Sequence, residues 1–154
     1  MIKINIFYNN KDRENVYRGS SSYIKKNITF LNKKFKKYQN RIIYFNLMLS
    51  GDNQIRKLNK MFRNKNKTTD VLSFPFYAKK ELQMKLKKER EIFLGDIIVN
   101  LNKIKNKENK INFRFELNKL WIHGLVHLFG HKHKKAGDYY KMNKIEKQFF
   151  SYLN

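Results

Sequence analysis

All four histidines of this chain, His123, His127, His131 and His133, fall in one short segment, and the first two stand where the sequence is apolar in nearly every direction. Around them lie Leu120, Trp121, Ile122, Leu125, Val126, Leu128 and Phe129. A helix that is apolar all round is a central, buried one, so the segment from Leu117 to about Phe129 predicts a helix at the heart of the fold, broken by Gly130. His123 and His127 lie one turn apart on the same side of that helix. A buried imidazole must find partners for its ring nitrogens. The i, i+4 spacing lets two imidazoles converge on one cation from a rigid scaffold, and the glycine lets the chain reverse and bring back a third. The competing explanation is a pair of core histidines bonded to carbonyls beside a His-rich turn. The spacing favours the metal.

Either His131 or His133 could complete the set. A continuing helix would put His131 about two turns from His123, each turn advancing about 5.4 Å, which strains both ends of the row around one ion. A left-handed residue at Gly130 ends the helix and redirects the chain, which favours His133. The expected ligands are therefore His123, His127 and His133. Three neutral nitrogens leave a fourth position open, and an open position separates a catalytic zinc, which activates water or polarises a phosphoryl oxygen, from a closed structural one. The chain has no cysteine, so neither a disulfide framework nor a thiolate site is available.

His123, His127, Gly130 and His133 also fit the frame of the extended zinc-peptidase motif, H-E-x-x-H-x-x-G-x-x-H, except that Gly124 stands where that motif has its glutamate. That glutamate is the general base of peptide hydrolysis. The cage is kept without the proteolytic base, and the net charge of +23 makes phosphodiester chemistry the better expectation. Charge of this size favours a polyanion, with RNA or DNA first. Compositional drift competes with that reading, because Lys, Asn, Ile, Phe and Tyr are all abundant, as they are when an AT-rich genome drives the codons. The basic residues are spread along the chain instead of lining one amphipathic helix, which argues against a membrane surface, and no stretch approaches a bilayer span. The expectation is a cytoplasmic protein forming one domain over residues 1–154.

The remaining pattern alternates strands and helices. Ile2 to Tyr8 alternates as a half-buried strand, Ser20-Ser21-Ser22 offers helix N-caps, and Ile24, Ile28, Leu31 and Phe35 follow at helical spacing. Ile42 to Leu49 reads as a strand, followed by a short helix carrying Ile55, Leu58 and Phe62 and ending near Arg63. Val71 to Phe74 is a strand closed by the chain's only proline, Pro75, which suits a sheet edge. Residues 78–91 are dense in Lys and Glu and read as a solvated excursion before the strand Ile92 to Val99. A last amphipathic helix carries Met142, Ile145 and Phe149.

Residues 123–133, HGLVHLFGHKH, resemble the H-G-x-x-H-L-x-G-Y-D-H signature of the bacterial YbeY endoribonucleases. Leu58 to Arg63 followed by Lys67 to Pro75 looks like that family's second block, and Leu94-Gly95-Asp96-Ile97 resembles its third. The resemblance implies an α+β fold with helices on a small mixed sheet and one zinc ion at the bottom of a basic cleft. It implies a single-strand-specific endoribonuclease acting in ribosomal RNA maturation, notably at the 3′ end of small-subunit RNA, and in ribosome quality control, with the small subunit as partner. It also gives Arg63 a catalytic role, and a planar guanidinium suits the clamping of a phosphate. Asp96 has two readings, orienting a ligand histidine or a structural role beside Gly95. Two departures stand out: His131-Lys132 replaces the family's Tyr-Asp, removing an acidic group and adding a cation. A zinc peptidase and a ribosome-associated RNA-binding protein without chemistry are the competing functions. Gly124 argues against the first, and the second has no need of a three-histidine cage.

Overall fold

The computed structural model of the chain describes residues 1–10 and 17–153. In order they form β1 (Ile2–Tyr8), α1 (Ser20–Lys34), β2 (Ile42–Ser50), α2 (Asp52–Arg63), β3 (Val71–Pro75), α3 (Lys79–Lys88), β4 (Glu91–Asn100), a 3-10 turn at Leu101–Lys103, α4 (Lys110–Leu128) and α5 (Ala136–Ser151). The strands make one sheet in the order β1-β2-β4-β3. β1, β2 and β4 run parallel, and β3 closes one edge antiparallel to β4. This is the mixed sheet packed with helices that the sequence led us to expect, and Pro75 does sit on an edge strand.

Alternation along β2 builds the core. Ile43, Phe45, Leu47 and Leu49 are fully buried on one face with Ile92, Leu94, Ile97 and Val99 of β4, under Ile24, Ile28 and Leu31 of α1 and the apolar body of α4. On the other face a smaller cluster, Ile55, Leu72 and Ile98, lies beneath α2. A buried polar network pins α1 to α4: Asn27 and Trp121 both donate to the Asn118 side-chain oxygen at 2.9 Å, and Asn118 donates to the Tyr23 hydroxyl at 2.7 Å.

Three local expectations change. The serines at 20–22 do not cap α1: Gly19 holds the N-cap position in a left-handed conformation, no side chain caps the helix, and Ser20 is buried as its first residue. Residues 78–91 are not a solvated excursion, because 79–88 form α3, which buries Leu82 and Leu86 against the main core. A single i, i+4 leucine pair among lysines is enough when the rest of the surface is supplied by other elements. Finally, α4 begins at Lys110, with the Asn109 side chain accepting from the backbone N–H groups of Ile111 and Asn112 at 3.0 Å.

α4 packs across β3 and β4 at very close range. A Cβ added at Gly124 would stand 2.6 Å from Ile97 Cγ2. The position that carries the general base in zinc peptidases therefore faces the sheet here, with no room for any side chain. Alanine is the better helix former by about 1 kcal/mol, but forcing a methyl group into a packed core typically costs about 1–3 kcal/mol. Gly124→Ala should lower the urea midpoint with an unchanged m-value; a raised midpoint would mean that the helix can lift off the sheet freely.

Candidate metal centre

The burial of the C-terminal half of α4 on nearly every side leaves one polar seam. Trp121, Ile122, Leu125, Val126 and Leu128 are buried, while His123 and His127 are half-buried one turn apart. Past the helix, Gly130 adopts φ +86° and donates its N–H to the His127 carbonyl at 2.9 Å, while His131 N–H donates to the Val126 carbonyl at 3.3 Å. This left-handed closure reverses the chain and lays the exposed His133 over the seam. One ligand atom from each of His123, His127 and His133 lies within 4.8 Å of the others. The His131 side chain turns away into a separate pocket.

Each helix histidine is oriented from behind. The Nδ1 of His123 is 2.8 Å from Glu146 Oε1 on α5, and because a carboxylate only accepts, Nδ1 carries the proton. The Nδ1 of His127 donates to the His131 carbonyl at 2.8 Å. The two Nε2 atoms face each other at 3.1 Å, and with His133 beside them a cation held between the rings would take a lone pair from each. Tetrahedral bonds of about 2.0–2.1 Å would set two nitrogens about 3.4 Å apart. Burial first, and then the neighbouring His123, push the His127 pKa down to about 4, with smaller contributions from His133 and Arg63 against the His131 carbonyl bond. The ring is thus neutral at pH 7, the form that ligates. The donor set fits one divalent ion of the zinc type.

Arg63, at the end of α2, is exposed beside β3, where one N–H donates to the Ser73 carbonyl at 3.1 Å and the guanidinium lies 5.8 Å from the centre of the Phe74 ring. The rest of its donor fork points outward, and its charge reaches His127. Asp96 is elsewhere. It accepts from Asn46 at 2.9 Å on the sheet face turned away from α4, among Phe7, Met48 and Phe74. The carboxylate behind a histidine is instead Glu146, which sequence reasoning missed. Its signal was faint, one acid beside Ile145 on a basic amphipathic helix. The cleft beside His123 is also less basic than expected, since Asp70, Glu116 and Glu146 line it with Lys119.

These features define a mixed α/β protein with a three-imidazole site suited to one metal ion and an arginine at its approach. The chain belongs to the endoribonuclease YbeY family, whose model matches residues 6–154. It is 42% identical over 142 residues to the endoribonuclease YbeY of Pelagibacter ubique, covering 86% of this chain and 88% of that protein. To the endoribonuclease YbeY of Ehrlichia canis it is 31% identical over 150 residues, covering 95% and 88%. The fold also matches the solution structure of a Thermotoga maritima protein, with a TM-score of 0.62 over 98% of this chain and 89% of that one at 23% identity.

His133→Ala should abolish stoichiometric zinc binding, whereas His131→Ala should cost at most the roughly 10- to 100-fold of an indirect contact, since the His131 group that holds His127 is its backbone carbonyl. Zinc titration of the two variants decides this, and the reverse outcome would make His131 the ligand. Glu146→Ala should weaken zinc by about 10- to 100-fold in chelator competition. Glu146→Gln should lose less, because its amide oxygen still accepts from Nδ1. Unchanged affinity in both would leave Glu146 without a positioning role.

Proposed function

We propose that the chain, as one domain over residues 1–154, is a zinc-dependent endoribonuclease that cuts single-stranded RNA in the cytoplasm. Family membership supports an RNA phosphodiester as the bond broken. The observation that carries the zinc dependence is the facing pair of Nε2 atoms on His123 and His127, 3.1 Å apart, with His133 laid over them. The metal ligands in this reading are His123, His127 and His133, holding one ion. When bound, that ion supplies Lewis acidity at the scissile phosphate.

The protein's own groups do the rest. Glu146 and the His131 carbonyl hold two imidazoles in one tautomer and orientation. Arg63 is the catalytic residue, braced on Ser73 and Phe74 so that its outward N–H groups can grip a phosphate oxygen and offset charge that grows as the phosphorus becomes five-coordinate. The basic surface draws in the RNA. Among the described residues no helix is long and apolar enough to cross a membrane. The finer role that the family resemblance suggests is maturation of the 3′ end of small-subunit ribosomal RNA and ribosome quality control, with the small subunit as partner.

The test is metal analysis of the purified protein beside cleavage of a single-stranded ribosomal RNA fragment. Stoichiometric zinc and cleavage abolished by chelation are expected, and cleavage that survives complete metal removal would sink the reading. Arg63→Ala should keep fold and zinc while cleavage falls by roughly a hundredfold or more, as on losing a transition-state charge partner. Full activity would take Arg63 out of the mechanism.

A further inference from the structure

Behind the turn that carries His133 is a second concave site that the metal centre does not use. It is a pocket of 460 Å³ between the end of α1, α3, the end of α4 and α5. One wall is aromatic: Phe35, Tyr38, Phe129, Phe149 and Tyr152 form a continuous cluster in which Phe35 meets Phe149 edge-on at 5.2 Å and Tyr38 lies nearly parallel to Phe129 at 6.1 Å. All but Phe149 are only half-buried, so ring surface remains open to a ligand. The rim carries Lys36, Lys37, Lys79 and His131, and no aspartate or glutamate lines the pocket.

Its walls are tied to the metal centre. His131 gives its side chain to the pocket and its carbonyl to His127. Lys79, the first residue of α3, packs against the same turn, its Cβ 3.0 Å from where a Cβ at Gly130 would stand. A ligand that crosses the turn meets both sites.

We propose that this pocket is a nucleotide subsite, taking one unpaired base of the RNA strand against the aromatic wall and the adjoining phosphate on Lys37 and Lys79. The inference rests on the RNA-cleaving reading given above. The volume is at the small end of the roughly 300–1,000 Å³ typical of sites for compact ligands, which suits one nucleotide better than a folded partner. An open aromatic face with cations beside it is how single strands are bound without regard to sequence, since every base offers a π-face. Three lysines on the rim and no acid in the lining argue against a neutral apolar ligand as the intended occupant.

The experiment measures binding of the zinc-loaded full chain to a fluorescent, uncleavable 2′-O-methyl oligonucleotide across a salt series, with cleavage of the matching RNA in parallel. Lys37→Gln with Lys79→Gln should weaken binding about tenfold or more and reduce the salt slope by about 0.7, the value for the one phosphate they share on a single strand. Lys25→Gln with Lys26→Gln, the same charge change on exposed positions of α1 outside the pocket, should do much less. Tyr38→Leu keeps apolar bulk but removes the π-face, and should weaken binding about five- to a hundredfold with the salt slope unchanged. The subsite is overturned if the two lysine pairs behave alike, or if Tyr38→Leu, folded by circular dichroism, binds as the parent does. Displacement of the oligonucleotide by polyglutamate at these same residues, with equal affinity, would reassign the pocket to acidic protein segments. A parent protein that neither binds nor cuts RNA would fail the functional reading itself. A parent that cuts RNA, with pocket variants indistinguishable from it in binding, would fail the subsite alone.

Discussion

The contact of Gly124 with Ile97 sets how deeply α4 lies on the sheet, and the metal centre depends on that depth. A helix held this close buries Trp121, Leu125 and Leu128 completely or nearly so, and its only polar stripe emerges at the edge where β3 ends the sheet. His123 and His127 inherit from this packing a rigid spacing and a partly dry environment, and the dryness keeps His127 unprotonated. The buried Asn27–Asn118–Trp121 network guards the same geometry from behind. Each bond is worth only about 0.5–1.5 kcal/mol net, but losing one partner would strand a buried donor or acceptor. The helix is thereby fixed in rotation as well as in depth.

With His123 and His127 fixed by tertiary packing, His133 and the orienting groups arrive from the chain that follows. The left-handed turn at Gly130 does three things at once: it ends α4, swings His133 over the seam, and points the His131 carbonyl back at His127. α5 then returns alongside α4 and delivers Glu146 to His123. All the groups converging on the two Nε2 atoms therefore come from one helix–turn–helix stretch, residues 123–146, while Arg63 comes from across the β3 edge.

This distribution explains how much could be read from the sequence. Local periodicity announced α4, because histidines in an apolar segment break the usual pattern of an exposed polar face. The alternation of Phe45, Leu47 and Leu49 likewise marked a strand with one buried face. The spacing of His123, His127 and His133 indicated convergence, since the reversal at Gly130 is also local. What escaped was what only tertiary neighbours decide. Leu82 and Leu86 become a buried helix face because the main core, built by other elements, receives them. Glu146 becomes an orienting group through a contact 23 residues away in sequence. Asp96 sits beside a recognisable motif, yet strand alternation sends its side chain to the face opposite α4, where Asn46 holds it.

The charge of the protein follows the same economy. The chain has 12 acidic residues against 35 lysines and arginines, and several of those acids are committed to specific partners. Asp52 accepts from Asn100 at 2.8 Å and Asn102 at 3.1 Å, bonds that hold its carboxyl below the usual carboxylate range, and also from Thr68 at 3.0 Å; Asp96 takes Asn46 and Glu146 takes His123. With so few acids, most cations face solvent without a nearby counter-charge. A surface of this kind repels its own copies and condenses on a polyanion. Where three carboxylates do gather, Asp70, Glu116 and Glu146 beside His123, they make a local minimum in that field. A polyanion drawn in by the surrounding lysines is repelled from this corner, so the distribution of charge restricts the direction from which a phosphate can approach the three histidines.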